Sequence, residues 1–364
     1  YLERAVEDQR YTSNRYTSGD LAGLTRESGV VFGNGEEHRH NFAGFGQGYG
    51  HVMLLDIKKL ILPVSIGPGI MKAGHDGLPL QRGIDTARRD GATIVWCHNE
   101  WGLEALPNWL GGRIDAQNIF DGGIRSSYRD SFYRYLNAGL KVPFSTGTDW
   151  FMYDFSRVYV PVTGKLTPRS WLKQLATGHS YITNGPFLEF TVGGQPIGGT
   201  VALEKRGELR IRGRAVGRSD FERIELIQNG GIVAVAASRK VGGHHEATID
   251  TRIDISRPGW FALRTPPPSV SGDSSRSRKT PLNLIGRELF AHTSPVYVSL
   301  AGKQIFDVEV ATEILATMKE HAAAILKNGK FLDDAARARV LDVHREAIAA
   351  FERRLARETP DAVR

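Results

Sequence analysis

Two carboxylates and three histidines lie within a short stretch near the start of the chain, at Glu36, Glu37, His38, His40 and His51. Imidazole nitrogen and carboxylate oxygen are the donors that bind borderline divalent ions in proteins. The run after His51 is apolar and strand-like, and a strand fixes the direction of a ligand better than a loop does. The stretch therefore indicates a metal site, and a polar histidine-rich loop is the alternative that it leaves open by itself.

Two later segments also end an apolar strand with a residue that can bind a metal. Residues 92–97 form an apolar run before His98, and residues 142–144 lead through a short polar stretch to Asp149. The carboxyl ends of strands are the recurrent place for active sites in barrels and open α/β sheets. We expect Asp149 to be buried there, where its charge is costly unless an ion compensates it.

The succession of Glu, His, His and Asp at these strand ends resembles the PHP superfamily of metal-dependent hydrolases. That superfamily carries a Gly-x-Glu segment, a Gly-His-Val segment, a strand ending in Ala-His-Pro, and a Gly-Ser-Asp-x-His segment. Further along, the segments 166–172, 177–186 and 290–298 are similar to its CehA/McbA branch, whose chains carry Gly-Arg-Ser-Phe-Val-Thr-Asn-Gly-Pro before a β domain. The resemblance covers most of residues 1–305.

The resemblance implies an α/β fold with a partial, distorted (β/α) barrel that holds divalent metal ions, with Zn, Mn or Fe as the candidates. It implies that a small-molecule substrate is hydrolysed at an ester, carbamate or phosphoester bond by metal-activated water. Carried over residue by residue, the metal ligands are Glu37, His51, His98 and Asp149.

Glu37 is preferred to Glu36 because it matches the family's glutamate and because neighbouring strand residues face opposite sides of a sheet. His38 and His40 are expected at the polar rim of the site or behind its ligands. No catalytic residue is assigned, since His40 and His179 are candidate proton donors without strong positional support.

The chain departs from the family pattern at two places. Phe151 stands where the family has histidine, and residues 1–30 contain no His-x-His motif of the first strand. These departures favour a second interpretation, a non-catalytic PHP-like scaffold with a β-sandwich that binds carbohydrate or a protein partner.

The chain begins at Tyr1 inside a polar, helix-like segment, so we expect that upstream sequence is missing. The compartment, cytoplasmic or periplasmic and secreted, is therefore left open.

Composition narrows the classes of partner. The 364 residues are 41% hydrophobic, which is enough for packed cores. The formal charge of +7 arises from 47 basic and 40 acidic residues without a long basic run, so no nucleic-acid partner is predicted. No apolar stretch reaches the roughly 20 residues of a membrane span, and no membrane partner is predicted. The single cysteine, Cys97, excludes an intrachain disulfide and is expected in the core.

The pattern divides the chain into three predicted domains. Residues 1–186 are a PHP-like metallohydrolase domain without its first strand, 187–306 a β-sandwich domain, and 307–364 a C-terminal helical hairpin. Alternating apolar residues after Pro186 predict the strands of the sandwich, among them 187–192, 223–228, 259–264 and 296–300, with a turn at residues 229–231. Two apolar stripes with a turn near Gly329 predict the hairpin. The hairpin packs on its own domain or forms a homo-oligomer, and the pattern leaves both open.

Two local predictions concern the first domain. A helix over 83–90 that ends at Gly91 with a left-handed cap leads into the strand before His98, which is the βα rhythm of a parallel sheet. Val30, Val31 and Phe32 are expected to form a short buried strand.

Overall fold

The computed structural model describes residues 21–40, 48–61, 78–99, 101–121, 127–128, 132–149, 154–269 and 280–359. Within this part the protein is mixed α/β, with its strands in three sheets and a pair of helices near the C-terminal end. The polar, helix-like segment predicted at the start of the chain and Phe151 lie outside the described residues. No helix among the described residues is long and apolar enough to cross a membrane.

The described helices are α1 (Leu21–Ser28), α2 (Gln81–Asp90), α3 (Ala105–Leu110), α4 (Arg134–Asn137), α5 (Pro168–Ala176), α6 (Val308–Asn328) and α7 (Asp334–Glu358). The described strands are β1 (Gly35–His40), β2 (Gly50–Leu55), β3 (Thr93–Trp96), β4 (Ala116–Asn118), β5 (Phe144–Ser145), β6 (Arg157–Tyr159), β7 (Tyr181–Thr183), β8 (Phe187–Val192), β9 (Gln195–Pro196), β10 (Thr200–Leu203), β11 (Gly207–Gly217), β12 (Arg223–Gln228), β13 (Gly231–Ala237), β14 (Arg239–Val241), β15 (His244–Ile255), β16 (Gly259–Arg264), β17 (Ala291–Thr293) and β18 (Val296–Leu300).

The chain divides into two compact units. The first contains the described residues of Tyr1–Asp115, Val162–Lys173 and Ala311–Arg364, and the second those of Ala116–Pro161 and Gln174–Val310. The predicted domain boundaries after residues 186 and 306 divide the chain differently, and they stay predictions.

In the first unit, β1, β2 and β3 are antiparallel neighbours. β1 pairs with β2 so that Arg39 lies opposite His51, and β2 pairs with β3 so that Val52 lies opposite Trp96. The parallel βα rhythm predicted for this region is therefore wrong, and no closed barrel is present in the described part. Residues 41–49 are too few for the crossover of a dozen or more residues that parallel pairing of β1 and β2 needs.

The segment before β1 also differs from expectation. Residues 30–34 form no strand, and Val30 and Phe32 are 55% and 37% exposed, so the predicted buried strand is wrong. In contrast, the predicted end of α2 is confirmed. Gly91 has a φ of 80°, and its N–H donates to the carbonyls of Ala87 and Arg88, which closes the last turn of the helix.

The second unit is built around two sheets that share one core. One sheet has the order β10-β18-β16-β17-β7-β6, with β12 paired to β16 and β13 to β12, and the other has the order β14-β15-β11-β8-β9. Apolar side chains of both sheets, such as Phe190, Ile211, Leu226 and Leu263, form a single buried cluster. Two sheets that enclose one apolar layer are the arrangement of a β-sandwich. β4 and β5, which pair in parallel, also belong to the second unit and continue the sheet order β1-β2-β3-β4-β5.

The C-terminal helices confirm the predicted helical pair. Asp333 caps α7 by accepting a hydrogen bond of 2.6 Å from the Ala336 N–H. Lys319 Nζ of α6 lies 2.7 Å from Glu352 Oε1 of α7, so the two helices lie side by side. α7 also packs on its own unit, where His344 Nε2 lies 3.2 Å from the Leu103 carbonyl. A homo-oligomer through these helices stays a prediction.

Candidate metal centre

Glu37, His51 and His98 lie together in the first unit, on one side of the antiparallel sheet. Glu37 is opposite Met53 in the β1–β2 register, so His51 is its diagonal neighbour on the same face. His98 follows the end of β3, and the Cys97 N–H donates to the His51 carbonyl at 3.0 Å. Three of the four predicted ligands therefore come from three neighbouring strands.

The distances within this group suit a single ion. Glu37 Oε1 lies 3.0 Å from His51 Nδ1 and 3.5 Å from His98 Nε2. One ligand atom from each residue lies within 4.8 Å of the other two. Donors held about 2.0–2.2 Å from a tetrahedral ion are about 3.3–3.6 Å apart, which is close to these separations.

Two atoms of the group are buried without a hydrogen bond. Glu37 Oε1 and His51 Nδ1 are close enough for an ion pair, yet neither makes a hydrogen bond of acceptable geometry with any described residue. Burial of a polar atom without a hydrogen bond costs about 1–3 kcal/mol. The ion-pair contacts of Glu37 Oε1 with His51, His98 and Arg39, at 3.0, 3.5 and 3.6 Å, offset part of that cost. A divalent cation between them would satisfy both atoms, so the donor set fits a metal ion.

Electrostatics favour the forms of these residues that bind metals. The close approach of His51, and then of His98, holds the pKa of the Glu37 carboxyl well below its usual range. Burial lowers the pKa of His51, and the contact with Glu37 opposes that shift only in part. Near neutral pH the group therefore offers a carboxylate and a neutral imidazole, the protonation states that metal binding requires.

A strained backbone turns His98 toward the other two residues. His98 and Asn99 have φ values of 53° and 58°, in the left-handed region that non-glycine residues seldom occupy. Such strain persists where the surrounding structure enforces it, and it is concentrated at functional sites. Sequence patterns carry no signal for this feature, because both residues look like ordinary loop positions.

Two glycines allow the loop after His98 to lie directly on the start of β2. The Leu103 and Glu104 N–H groups donate to the carbonyls of Gly48 and Tyr49, at 3.2 and 3.0 Å. A Cβ on Gly102 would lie 2.3 Å from the Gly50 Cα, so no other residue fits there without a shift of backbone. This close contact fixes the turn that carries His98.

Trp101 forms one wall of the group. Its ring centroid lies 5.9 Å from that of His51 and 5.7 Å from that of His98, while the two imidazoles meet edge to face at 4.9 Å. The Trp96 indole N–H donates to the Trp101 carbonyl at 2.9 Å, which anchors the wall to β3. Packing of this kind restricts rotation of both imidazole rings.

Asp149, the fourth predicted ligand, follows β5 in the second unit. Its φ is 52° and its side chain is exposed. The expectation that its charge is buried is therefore wrong. The reason is that the chain leaves the buried strand at Ser145, and the following residues rise progressively to the surface. The metal-binding role of Asp149 stays a prediction.

The opposite face of β1 holds a second polar cluster. His38 Nδ1 lies 2.7 Å from Glu36 Oε1, and its Nε2 lies 3.1 Å from His40 Nε2, while Arg82 Nη2 approaches the same His40 nitrogen at 3.4 Å. The expectation that His38 and His40 lie at the rim of the metal group or behind its ligands is wrong. Both are fully buried on the other side of the strand, as strict alternation along β1 requires.

The candidate proton donor His179 belongs to the second unit, where its Nδ1 lies 2.8 Å from Thr177 Oγ1. Cys97 is buried, as expected.

No family model, curated protein or solved structure matches the chain. The resemblance to the PHP superfamily stays a prediction from the motifs alone. The function has to be argued from the geometry around Glu37, His51 and His98.

Proposed function

We propose that the chain is a metal-dependent hydrolase of the CehA/McbA type, which cleaves an ester, carbamate or phosphoester bond of a small molecule. The observation that carries this proposal is the convergence of Glu37 Oε1, His51 Nδ1 and His98 Nε2, with the first two atoms buried and without hydrogen bonds. A partial PHP-type (β/α) barrel belongs to the same proposal. The parallel pairing of β4 with β5 supports it.

One carboxylate oxygen and two imidazole nitrogens are a donor set that catalytic zinc sites use, with a further position left for water. A bound divalent ion would polarise the scissile bond and bring the pKa of water near neutrality. Glu37 would supply the negative charge that compensates the ion, and His51 and His98 would supply the two imidazole nitrogens. Arg39, whose Nη1 lies 3.6 Å from Glu37 Oε1, leaves the carboxylate only partly neutralised because both side chains are about one-third exposed.

A non-catalytic scaffold is the second candidate. The exposed side chain of Asp149 favours it, since a complete PHP-like site needs that carboxylate as a ligand. In this case the metal group would be structural, and the β-sandwich of the second unit would bind the carbohydrate or protein partner.

Metal content and hydrolysis, measured on the same preparations, test the proposal. The chain is stripped with EDTA, reloaded with zinc, manganese or iron, and assayed with aryl ester, carbamate and phosphoester substrates. We expect the wild type to bind metal. We also expect it to hydrolyse at least one of the three substrate classes when it is loaded with metal, and none of them after EDTA treatment. The His51→Gln variant should lose both metal binding and hydrolysis. The His245→Gln variant, in which a half-buried histidine of the second unit is changed, should retain both.

The outcomes separate the candidates. If the chain binds metal but hydrolyses none of the three substrate classes, the result supports the non-catalytic scaffold. A wild-type chain that takes up none of the three metals contradicts both the metal centre and the hydrolase.

A further inference from the structure

A cavity of about 550 Å³ opens in the second unit, and none of its lining residues belongs to the metal group. Three aromatic side chains line it, Phe155, Tyr159 and Phe187, together with Arg157 and Arg218. The volume lies in the range of small-molecule sites, which are mostly apolar with a few charged groups that fix orientation. All of the lining residues belong to this unit.

The aromatic side chains form an apolar wall of the cavity, and contacts between their rings hold them in position. Phe187 is 53% exposed, which is unusual for a phenylalanine at the start of a strand. Its ring meets Tyr159 edge to face at 5.0 Å, and Tyr159 stacks on Tyr181 at 5.0 Å with an angle of 10°. The rings are thus held in place by one another, and a planar ligand ring can pack on them at little entropic cost.

The charge of the lining has one sign. No Asp or Glu lines the cavity among the described residues. Arg157 donates to the Phe155 carbonyl at 2.6 Å and lies 5.2 Å from the Phe155 ring centroid, and within the described chain neither Arg157 nor Arg218 has a carboxylate partner. His244, which also lines the cavity, is already paired with Glu246 at 2.5 Å. The uncompensated positive charge therefore belongs to the two arginines.

We propose that this cavity binds a small molecule that carries a carboxylate or phosphate on an aromatic ring. The ring packs against Tyr159 and Phe187, and the anion pairs with Arg157 and Arg218. Arginine is suited to both parts of such a ligand, because it binds carboxylate and phosphate with two parallel hydrogen bonds and stacks on aromatic faces. The site needs no metal, so it is independent of the proposed hydrolase.

Calorimetric titration of the full chain in EDTA tests the proposal, since chelation removes binding at the metal group. The probes are 2-naphthoate, 2-naphthyl phosphate, neutral 2-naphthamide, non-aromatic cyclohexanecarboxylate, inorganic phosphate and the neutral sugar cellobiose. We expect one of the two naphthyl anions to bind at least tenfold more tightly than any of the last four probes. The preferred naphthyl anion identifies the carboxylate or the phosphate as the natural group.

Variants then locate the binding. Arg218→Gln should weaken the preferred anion about tenfold, and Phe187→Ala should weaken it by a similar factor; both side chains are exposed, so the fold should be retained. Arg257→Gln, the same change at an exposed arginine outside the lining, should leave affinity unchanged. The proposal is overturned if 2-naphthamide or cellobiose binds as tightly as the anions, if no probe binds, or if Arg218→Gln has no effect.

Discussion

The Nδ1 atom of His51 lies 3.0 Å from Oε1 of Glu37, and neither atom is hydrogen-bonded to any residue in the described part of the chain. Burial of a polar atom without a hydrogen bond carries a desolvation cost, which the ion-pair contact between these two atoms offsets only in part. A shared cation would satisfy both atoms, and His98 Nε2, which lies 3.5 Å from Glu37 Oε1, is within reach of the same ion.

Glu37→Gln removes the charge of this group and keeps its shape. We expect added zinc to raise the melting temperature of the wild type and to leave that of the variant unchanged. A ligand that binds only the folded chain at about 100 times its dissociation constant stabilises it by about 2.7 kcal/mol. Differential scanning fluorimetry with and without zinc measures the difference.

Glu36→Gln is the matched control, because Glu36 is the preceding residue and faces the opposite side of β1. Its Oε1 lies 2.7 Å from His38 Nδ1 and its Oε2 accepts from the Ile61 N–H at 2.9 Å. This variant should melt at a lower temperature with or without zinc and retain the zinc-dependent increase. A metal centre at Glu37 would be contradicted if zinc raised the melting temperature of both variants, or of neither.

Gly102→Ala should disturb the group from a distance. The added methyl would lie 2.3 Å from the Gly50 Cα and push the His98 loop off β2. We expect the free energy of unfolding to fall by about 2–4 kcal/mol, since steric overlap adds to backbone strain, and zinc affinity to fall with it. Chemical denaturation and zinc titration measure the two effects.

Gly112→Ala is the control for strain alone. Gly112 also has a positive φ, of 65°, but nothing lies within 4 Å of its ideal Cβ. The free energy of unfolding of Gly112→Ala should be about 1–2 kcal/mol lower than that of the wild type, and its zinc affinity should equal that of the wild type. Equal zinc affinities for the two alanine variants would show that the contact between Gly102 and Gly50 does not position His98.

Glu104 predicts a pH dependence of stability in the first unit. Burial raises the pKa of its carboxyl from 4.5 to about 8, and its Oε1 has no hydrogen-bond partner among described residues. Between these values the unfolded chain releases a proton that the folded chain retains, so stability falls as pH rises from about 4.5 to 8. Glu104→Gln should therefore stabilise the chain by about 1–3 kcal/mol at pH 7.5 and have little effect at pH 4.

Urea denaturation at the two pH values checks this sign. Glu346→Gln, a change of an exposed glutamate that pairs with Arg113 at 3.2 Å, should shift stability by less than about 1 kcal/mol at either pH. A difference between Glu104→Gln and the wild type that is the same at both pH values would rule out an elevated pKa for Glu104.

Asp149→Asn tests the fourth predicted ligand. Because the side chain is exposed, the metal-free variant should melt within about 1 °C of the wild type, in keeping with the small effects of surface substitutions. If Asp149 is a ligand, zinc affinity should still fall at least tenfold. Asp254→Asn, at another exposed aspartate of the same unit, should leave zinc affinity unchanged. Unchanged zinc affinity in Asp149→Asn removes this residue from the metal centre.

The sequence alone determined the features that depend on neighbours along the chain. The strands 187–192, 223–228, 259–264 and 296–300 have the predicted bounds, because alternation of apolar residues is a local property of a strand. The left-handed cap at Gly91 and the turn at Asn229 and Gly230, with φ values of 51° and 93°, follow from backbone preferences of the residues themselves. The same alternation indicated that only one of Glu36 and Glu37 faces the site, and the resemblance to the family pattern chose Glu37.

Tertiary structure alone decided the features that depend on what packs from a distance. The antiparallel direction of β3, the left-handed turn at His98 and the exposure of Asp149 have no signal in local pattern. Alternation along β1 puts His38 and His40 on the face opposite Glu37, but only the packing of other segments buries that face. A polar residue is buried when distant segments supply partners for it, as Arg82 does for His40. Types and spacing of residues therefore identified the metal-binding candidates, and only long-range packing placed three of them within reach of one ion.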